Sequence, residues 1–493
     1  MSATLRAVAQ RLADVRLSGF PARRSAPSSG ASTPAGGGSV RGGNASGCSL
    51  RRTPSGSALR LARPATPPPI LAQPVATDVS AAIDEADLVG ERGGGREGER
   101  ARPRISPPHL PSLSARGLSR PNAPTSRPSH PLSLPPSPRP SIFHSIHSQD
   151  FIASSPILAA CGLDRDAVTA SAAEWARLGA LLAARLDLLK GSSVENPAPA
   201  PPAALAPAAA SRIYRYYLPI FFWVRAQVAG HKKEGKGKGP LVLGINAPQG
   251  CGKTTLVSEL EALATATGLA AASVSIDDFY LTRDGQAALA AANPGNPLLE
   301  LRGNAGSHDL RLGADTLAAL AAAGPGTSIP LPRYDKAAHG GLGDRADPSA
   351  WPTVTGPLDL VLLEGWMLGF SPVGEPAAGA LSPHLPPVDA ALGAYKAAWD
   401  AAVGAWLVIA APSAQCVYAW RAEAEVALRA AGRGGMSDEQ VADFCDRYMP
   451  AYAAYGDGLV ARGPTTARAG HVLVVGVEKD RSLAGVQPAA PAC

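Results

Sequence analysis

Residues 241–257 read LVLGINAPQGCGKTTLV, an apolar run that bends through two glycines into Lys253, Thr254 and Thr255. Ala247, Pro248, Gln249, Gly250, Cys251, Gly252, Lys253 and Thr254 have the spacing of a phosphate-binding loop, with Ala247 where the first glycine usually stands. Glycines at 250 and 252 let backbone N–H groups turn inward around phosphate oxygens, and the helix that follows aims its positive end at the same anion. In such a loop Lys253 reaches the β- and γ-phosphates and the Thr254 hydroxyl ligates Mg²⁺. ATP with Mg²⁺ is therefore the expected ligand. A chance Gly-Lys-Thr turn would lack the strand before it and the helix after it.

Two further places end an apolar run in carboxylates. SIDDFYLT (275–282) sets Asp277 and Asp278 after a strand pattern, and side chains there collect in the ligand crevice of a doubly wound sheet. One of the two is expected to face the phosphates, as proton acceptor or Mg²⁺ ligand. Asp278 and Tyr280 then count among the substrate candidates. LDLVLLEGW (358–366) ends in Glu364, an arrangement able to hold magnesium directly or through water.

Long loops lie between these strands. LELRGNAGSHDL (299–310) carries Arg302, His308 and Asp309, and LPRYDKAAHGGLGDRADP (331–348) carries Arg333, Lys336, His339 and Arg345. Long irregular loops in compact domains are usually functional or disordered. This density of cations suits an anionic acceptor, since Arg grips carboxylates bidentately. Taken singly, each residue is as well explained by loop bracing. Residues 417–444 read as helix, glycine turn, helix, with a capping box at Ser437 and Gln440. Arg421, Arg429 and Arg433 would serve a mobile lid that supplies transition-state charge. The alternative is a helix with ordinary ion pairs, such as Glu425 with Arg429.

The elements that position these groups alternate. Strand patterns at 241–247, 271–277, 358–366, 405–411 and 471–477 are separated by amphipathic helices, one with Leu256, Leu260 and Leu263 on a single face. Such alternation implies an α/β fold of P-loop NTPase type, with a doubly wound, mostly parallel sheet, helices on both faces and a helical lid. Upstream, Trp175, Leu178, Leu182, Leu186 and Leu189 form a helical stripe, 196–210 reads as a Pro/Ala linker, and 211–230 as a second helix. The expected division is 1–150 disordered, 151–230 helical, 241–480 a kinase domain and 481–493 a flexible tail.

Charge is distributed unevenly. The first 150 residues hold 19 Arg, no Lys and nine acidic residues, a formal +10, while the remainder sums to −4. The basic excess thus lies outside the folded part, and no nucleic-acid partner is expected. The Arg- and Ser-rich start fits an organellar transit peptide and lacks the apolar core of a secretory signal. No apolar run is long enough to span a membrane. The six cysteines show no metal-ligand spacing. A soluble monomer is expected.

Taken together, GINAPQGCGKTTLV, VSIDDFYLT, ANPGNPLLELRGNAGSHDL, LPRYDKAAHGGLGDRADPSAWP, VLLEGWMLGF and GMSDEQVADFCDRYMPAY resemble the plant-type D-glycerate 3-kinases, over roughly 211–479. The resemblance implies transfer of the ATP γ-phosphoryl to the 3-hydroxyl of D-glycerate, in the photorespiratory cycle of the chloroplast stroma. It places the phosphate loop on Gly250, Gly252, Lys253, Thr254 and Thr255. It also makes Asp277 the catalytic base, by likeness to the D-x-F motif of related uridine and pantothenate kinases. Catalysis is then assigned to Lys253, Asp277 and Arg421, Mg²⁺ to Thr254, Asp277 and Glu364, and substrate to Asp278, Tyr280, Arg302, His308, Asp309, Arg333 and Lys336. The chain has His339 and Leu342 where Tyr and Arg are expected of plant relatives. Rival readings are another kinase of this fold and a nucleotide-switched ATPase.

Overall fold

The computed structural model describes residues 146–486 apart from 190–191, 196, 236–238 and 431–435. The transit-peptide reading of the first 150 residues lies almost wholly outside the described residues, as does Arg433. A six-stranded sheet organises the chain, built from β1 (Leu241–Asn246), β2 (Ala271–Ser275), β7 (Leu360–Gly365), β8 (Ala405–Ala410), β9 (Val472–Val477) and β10 (Leu483–Val486). Its order is β10-β9-β8-β1-β7-β2, parallel except for β10. Two short antiparallel pairs stand apart, β3 (Ser328–Pro330) with β6 (Thr353–Thr355) and β4 (Tyr334–Asp335) with β5 (Asp344–Arg345).

Why the central strands read as unbroken apolar runs is visible in their burial. Leu241, Leu243 and Ile245 of β1 join one hydrophobic cluster, and Val242 joins the other. β7 divides likewise, Leu360 and Leu362 against Val361 and Leu363. Side chains alternate across a strand, so a sheet covered on both faces needs apolar residues at every position.

The first face is covered by helices α1 (Ala172–Arg185), α2 (Leu218–Lys233) and α3 (Lys253–Ala266). Trp175 of α1 stacks on Phe222 of α2 with ring centroids 4.6 Å apart, and Arg185 pairs with Glu259 of α3 at 2.6 Å. The helical segment before β1 therefore shares its core with the sheet. The second face carries α4 (Leu310–Ala322), α5 (Cys416–Ala430), α6 (Asp438–Asp446) and an aromatic belt containing Trp366, Trp399, Tyr448 and Tyr452.

Two local features depart from expectation. Leu483–Val486 was expected within a flexible tail, and instead pairs with β9 as an antiparallel edge. The turn at Glu478–Ser482 reverses the chain, and Leu483 adds its side chain to the first core. Part of the expected Pro/Ala linker is also ordered, Pro207–Ala210 running as a helical turn into a wider π-helical turn at Ser211–Tyr217. Pro219 accounts for the widening. A proline ring clashes with the carbonyl four residues back, which is that of Arg215, and this carbonyl accepts a hydrogen bond from the Ser155 hydroxyl at 2.6 Å.

Candidate active site

The site grows from the carboxyl ends of β1, β2 and β7. After β1, Gly250 and Gly252 adopt φ of +77° and +92°, where other residues are strained. At Gly250 space adds a second reason, since a Cβ would lie 2.6 Å from Cβ of Trp420. Ala247 is fully buried, so its methyl group is accommodated in the core beneath the loop. The loop is tied at Gln249, whose backbone N–H donates to the Tyr452 hydroxyl at 3.2 Å, while that hydroxyl donates to the Gln249 side-chain oxygen. Lys253 opens α3, followed by exposed Thr254 and Thr255.

Lys253 does not point into open solvent. Its ammonium forms an ion pair with Glu364 at the end of β7, and both side chains are largely buried. Burial raises the Glu364 carboxyl above its ordinary value; Lys253 opposes that rise and the nearby Asp277 charge adds to it. Asp277 lies on a 3-10 turn, Ile276–Phe279, which Ser275 caps by accepting from the Asp277 N–H at 3.3 Å. Burial works against its charge, yet Lys336 and then Lys253 outweigh it and hold Asp277 well below the usual carboxylate range. The Lys336 ammonium donates to Asp277 at 3.0 Å. Asp277 is thus an ionised carboxylate between two ammonium groups.

A narrow cavity opens at this point. Its lining includes Lys253, Asp277, Lys336, Arg302, Tyr280 and Arg421, with Gln249 at the loop end. Arg302 also braces the second cationic loop, donating to the carbonyls of Gly341 at 3.0 Å and Leu342 at 2.7 Å. Position 342 therefore serves Arg302 through its backbone, which a leucine supplies as well as an arginine does. Arg421 is buried and paired with Glu425 at 2.6 Å, its guanidinium lying over the Phe444 ring. Of the helical ion pairs weighed against a lid, Glu425 thus pairs with Arg421 and not with Arg429. Arg429 instead bonds the Met436 carbonyl and lies 3.6 Å from Asp438, joining α5 to the capping box that Ser437 and Gln440 do form.

Four residues expected at the substrate are not among those lining this cavity, and each has a structural partner. Asp278 turns away from Asp277 to accept from the Tyr334 N–H at 3.1 Å and from Arg333 at 3.3 Å, pinning the β4–β5 hairpin. Arg333 is occupied by that contact and by the Pro332 carbonyl. Asp309 caps α4 through the Leu312 N–H and pairs with Arg345 at 3.0 Å. His308 is buried, stacked on Tyr280 and bonded through Nδ1 to the Tyr395 hydroxyl at 2.8 Å. Burial lowers its pKa to about 4, against a smaller opposing pull from Asp277, so it supplies no cation. The structure thus gives each of these four side chains a partner elsewhere in the protein.

Trp366, Phe444 and Tyr448 line the cavity without having been expected there. Tyr448 falls in the DRYMPAY stretch, whose spacing alone gives no chemical signal.

The chain is similar in sequence to known proteins. It is 45% identical over 337 residues to the chloroplastic D-glycerate 3-kinase of Arabidopsis thaliana, a match covering 68% of this chain and 71% of that protein. The chain belongs to the D-glycerate 3-kinase family. It is also 37% identical over 237 residues to the uncharacterized kinase mug58 of Schizosaccharomyces pombe, covering 45% of this chain and 83% of that one. Among solved structures, D-glycerate 3-kinase from Cryptococcus neoformans is 32% identical, with 55% of this chain and 97% of that chain covered and a TM-score of 0.49. No family model matches the chain. For this member of the glycerate kinase family, the ordered motifs converge on one cavity at the phosphate loop.

The Asp277–Asp278 contrast is measurable. Burial pushes Asp278 up to about 7, with Arg333 and the Tyr334 N–H opposing it. Between its unfolded value near 3.8 and about 7 the folded state binds more protons than the unfolded state, so stability falls as pH rises through that window. Urea unfolding from pH 4 to 7 should therefore show Asp278→Asn gaining on the wild type as pH rises, by at most about 1.4 kcal/mol per pH unit.

Proposed function

We propose that this chain transfers the γ-phosphoryl group of ATP to the 3-hydroxyl of D-glycerate, giving 3-phosphoglycerate and ADP. The observation that carries the reading is the cavity where Lys253, Asp277, Lys336 and Arg302 meet at the end of a phosphate loop, in a chain of this family. Backbone amides of Gly250 to Lys253 would hold the phosphates, helped by the positive end of α3. Lys253 would exchange Glu364 for the terminal phosphate. As the 3-hydroxyl attacks in line, its oxygen bonds to phosphorus, the bond to the ADP oxygen breaks, and Asp277 takes the hydroxyl proton.

Lys336 and Arg302 are the cations best placed for the glycerate carboxylate. Arg421, which also lines the cavity, would offset charge that builds on the transferring group. An acceptor with one carboxylate and small hydroxyls suits a narrow cavity of this polarity better than a nucleoside does.

Thr254, Asp277 and Glu364 fit Mg²⁺. All offer hard oxygen donors, and the Asp277 charge raises the cost of ionising the buried Glu364, which a dication would relieve. Mg²⁺ draws most of its ligands from phosphate and water, so few protein donors are needed. When bound, the ion would neutralise charge between the β- and γ-phosphates.

A plastid location, in the stroma and the photorespiratory cycle, is supported by the chloroplastic relative and by the Arg- and Ser-rich N terminus. Import of the labelled chain into isolated chloroplasts checks it.

The activity is tested by following ADP release from Mg-ATP with D-glycerate, L-glycerate, uridine, pantothenate or no acceptor. D-glycerate alone should sustain turnover, with 3-phosphoglycerate formed. Equal release without an acceptor would make the protein a nucleotide-switched ATPase. In the same assay Asp277→Asn should lower kcat by about 10²- to 10⁴-fold, and near-normal turnover would remove Asp277 from the role of base.

A further inference from the structure

Another cavity adjoins the acceptor cavity. Leu342 of the second cationic loop lines it, together with Asp443, Phe444, Arg447 and Tyr448 in or just after α6. Its volume is about 100 Å³, against about 30 Å³ for the acceptor cavity. Arg302, Phe444 and Tyr448 line both, so the two cavities meet at these side chains. The junction is firmly built. Phe444 and Trp366 each pack edge-on against the Tyr448 ring, with centroids 5.0 and 5.2 Å away. The Asn304 amide donates to the Arg447 carbonyl at 3.0 Å and to the Leu298 carbonyl at 3.1 Å, which ties the end of α6 to the first cationic loop.

Cations follow one another through these cavities. Arg447 lines only the larger one, Arg302 lines both, and Lys336 lines only the acceptor cavity, where its ammonium meets Asp277. Arg302 also donates to the Lys336 carbonyl at 3.4 Å, so the inner two are joined directly. We propose that the larger cavity is the chamber through which the carboxylate acceptor reaches the reacting centre, and that Arg447 is the side chain that recruits it. The inference rests on the kinase reading and adds to it a route and a residue that concern the arrival of the acceptor.

Two observations favour passage over storage. Gln249 and Lys253, at the phosphate-loop end of the acceptor cavity, do not line the larger one. A bound phosphate donor would fill that end, and the acceptor then needs a way in that avoids it. The second observation is how loosely Arg447 is held. It donates to the carbonyl and the carboxylate of Asp443, each at 3.3 Å, and the Asp443 side chain is 80% exposed against 19% for Arg447. An ion pair of that length with one partner in solvent is weak, so an incoming carboxylate competes with Asp443 for the guanidinium. Leu342, Met436 and Phe444 offer the anion no hydrogen bond. It is attracted there and passed on to Arg302 and Lys336, where two cations are fixed.

The test follows initial rates of the full chain at saturating Mg-ATP while D-glycerate is varied. Arg447→Gln should lower kcat/KM for D-glycerate about three- to tenfold, and Asp443→Asn should raise it about twofold, both effects shrinking as salt is added. Leu342→Trp fills the chamber while keeping the carbonyl that Arg302 uses, and should also lower kcat/KM. The KM for Mg-ATP should keep its wild-type value in all three, which certifies a folded phosphate loop. Arg447→Gln and Asp443→Asn changing kcat/KM in the same direction, or not at all, would overturn the recruiting role. An unchanged kcat/KM in Leu342→Trp would overturn the route, and a KM for Mg-ATP that moves in step would mean that these residues only support the fold. Absence of D-glycerate phosphorylation by the wild type would instead overturn the kinase reading beneath the proposal.

Discussion

The ion pair between Lys253 and Glu364 is the contact on which the rest of the site depends. A lysine placed after a glycine bend must meet a phosphate when one is bound, and must be neutralised when none is. Glu364 neutralises it because β1 and β7 are adjacent and parallel, in a register that sets Ile245 opposite Glu364. Removing one partner of a buried pair costs about 3–5 kcal/mol, so the two residues constrain each other strongly. The unbroken apolar strands, the glycines at 250 and 252 and the cap at Ser275 all serve to bring these charges together.

From that pair the electrostatics extend outward in alternating sign. Glu364 lies beside Asp277, Asp277 between Lys253 and Lys336, and Lys336 on a loop held by Arg302. Asp278, one residue from Asp277, belongs to a different network and fixes the β4–β5 hairpin. One peptide unit thus separates a carboxylate facing the cavity from one that builds its wall.

Much of this was legible in the sequence because it is local. The phosphate loop, Asp277 and Glu364 each sit where an apolar run stops, and the strand pattern that places them is itself periodic. The capping box at Ser437 needs only residues three apart. The roles of the cationic loops were not legible, because Arg302 finds its partners at 341 and 342, Asp309 at 345 and His308 at 395. Such contacts have no signature in spacing. Leu483–Val486 was too short a run to announce a strand until β9 lay beside it, and Arg421 chose Glu425 because burial left it no solvent.

Glu364 is the group that holds Lys253, and a bound phosphate has to displace it. The most direct measurement is the Kd of metal-free ATP for the wild type and for Glu364→Gln, with Mg-dependent turnover followed in parallel. Glu364→Gln should bind metal-free ATP several-fold more tightly, since Lys253 loses its competitor and the phosphates lose a repelling charge, while turnover falls. Unchanged or weaker binding of metal-free ATP would show that Glu364 does not compete for Lys253, and the central interaction of this site would have to be sought elsewhere.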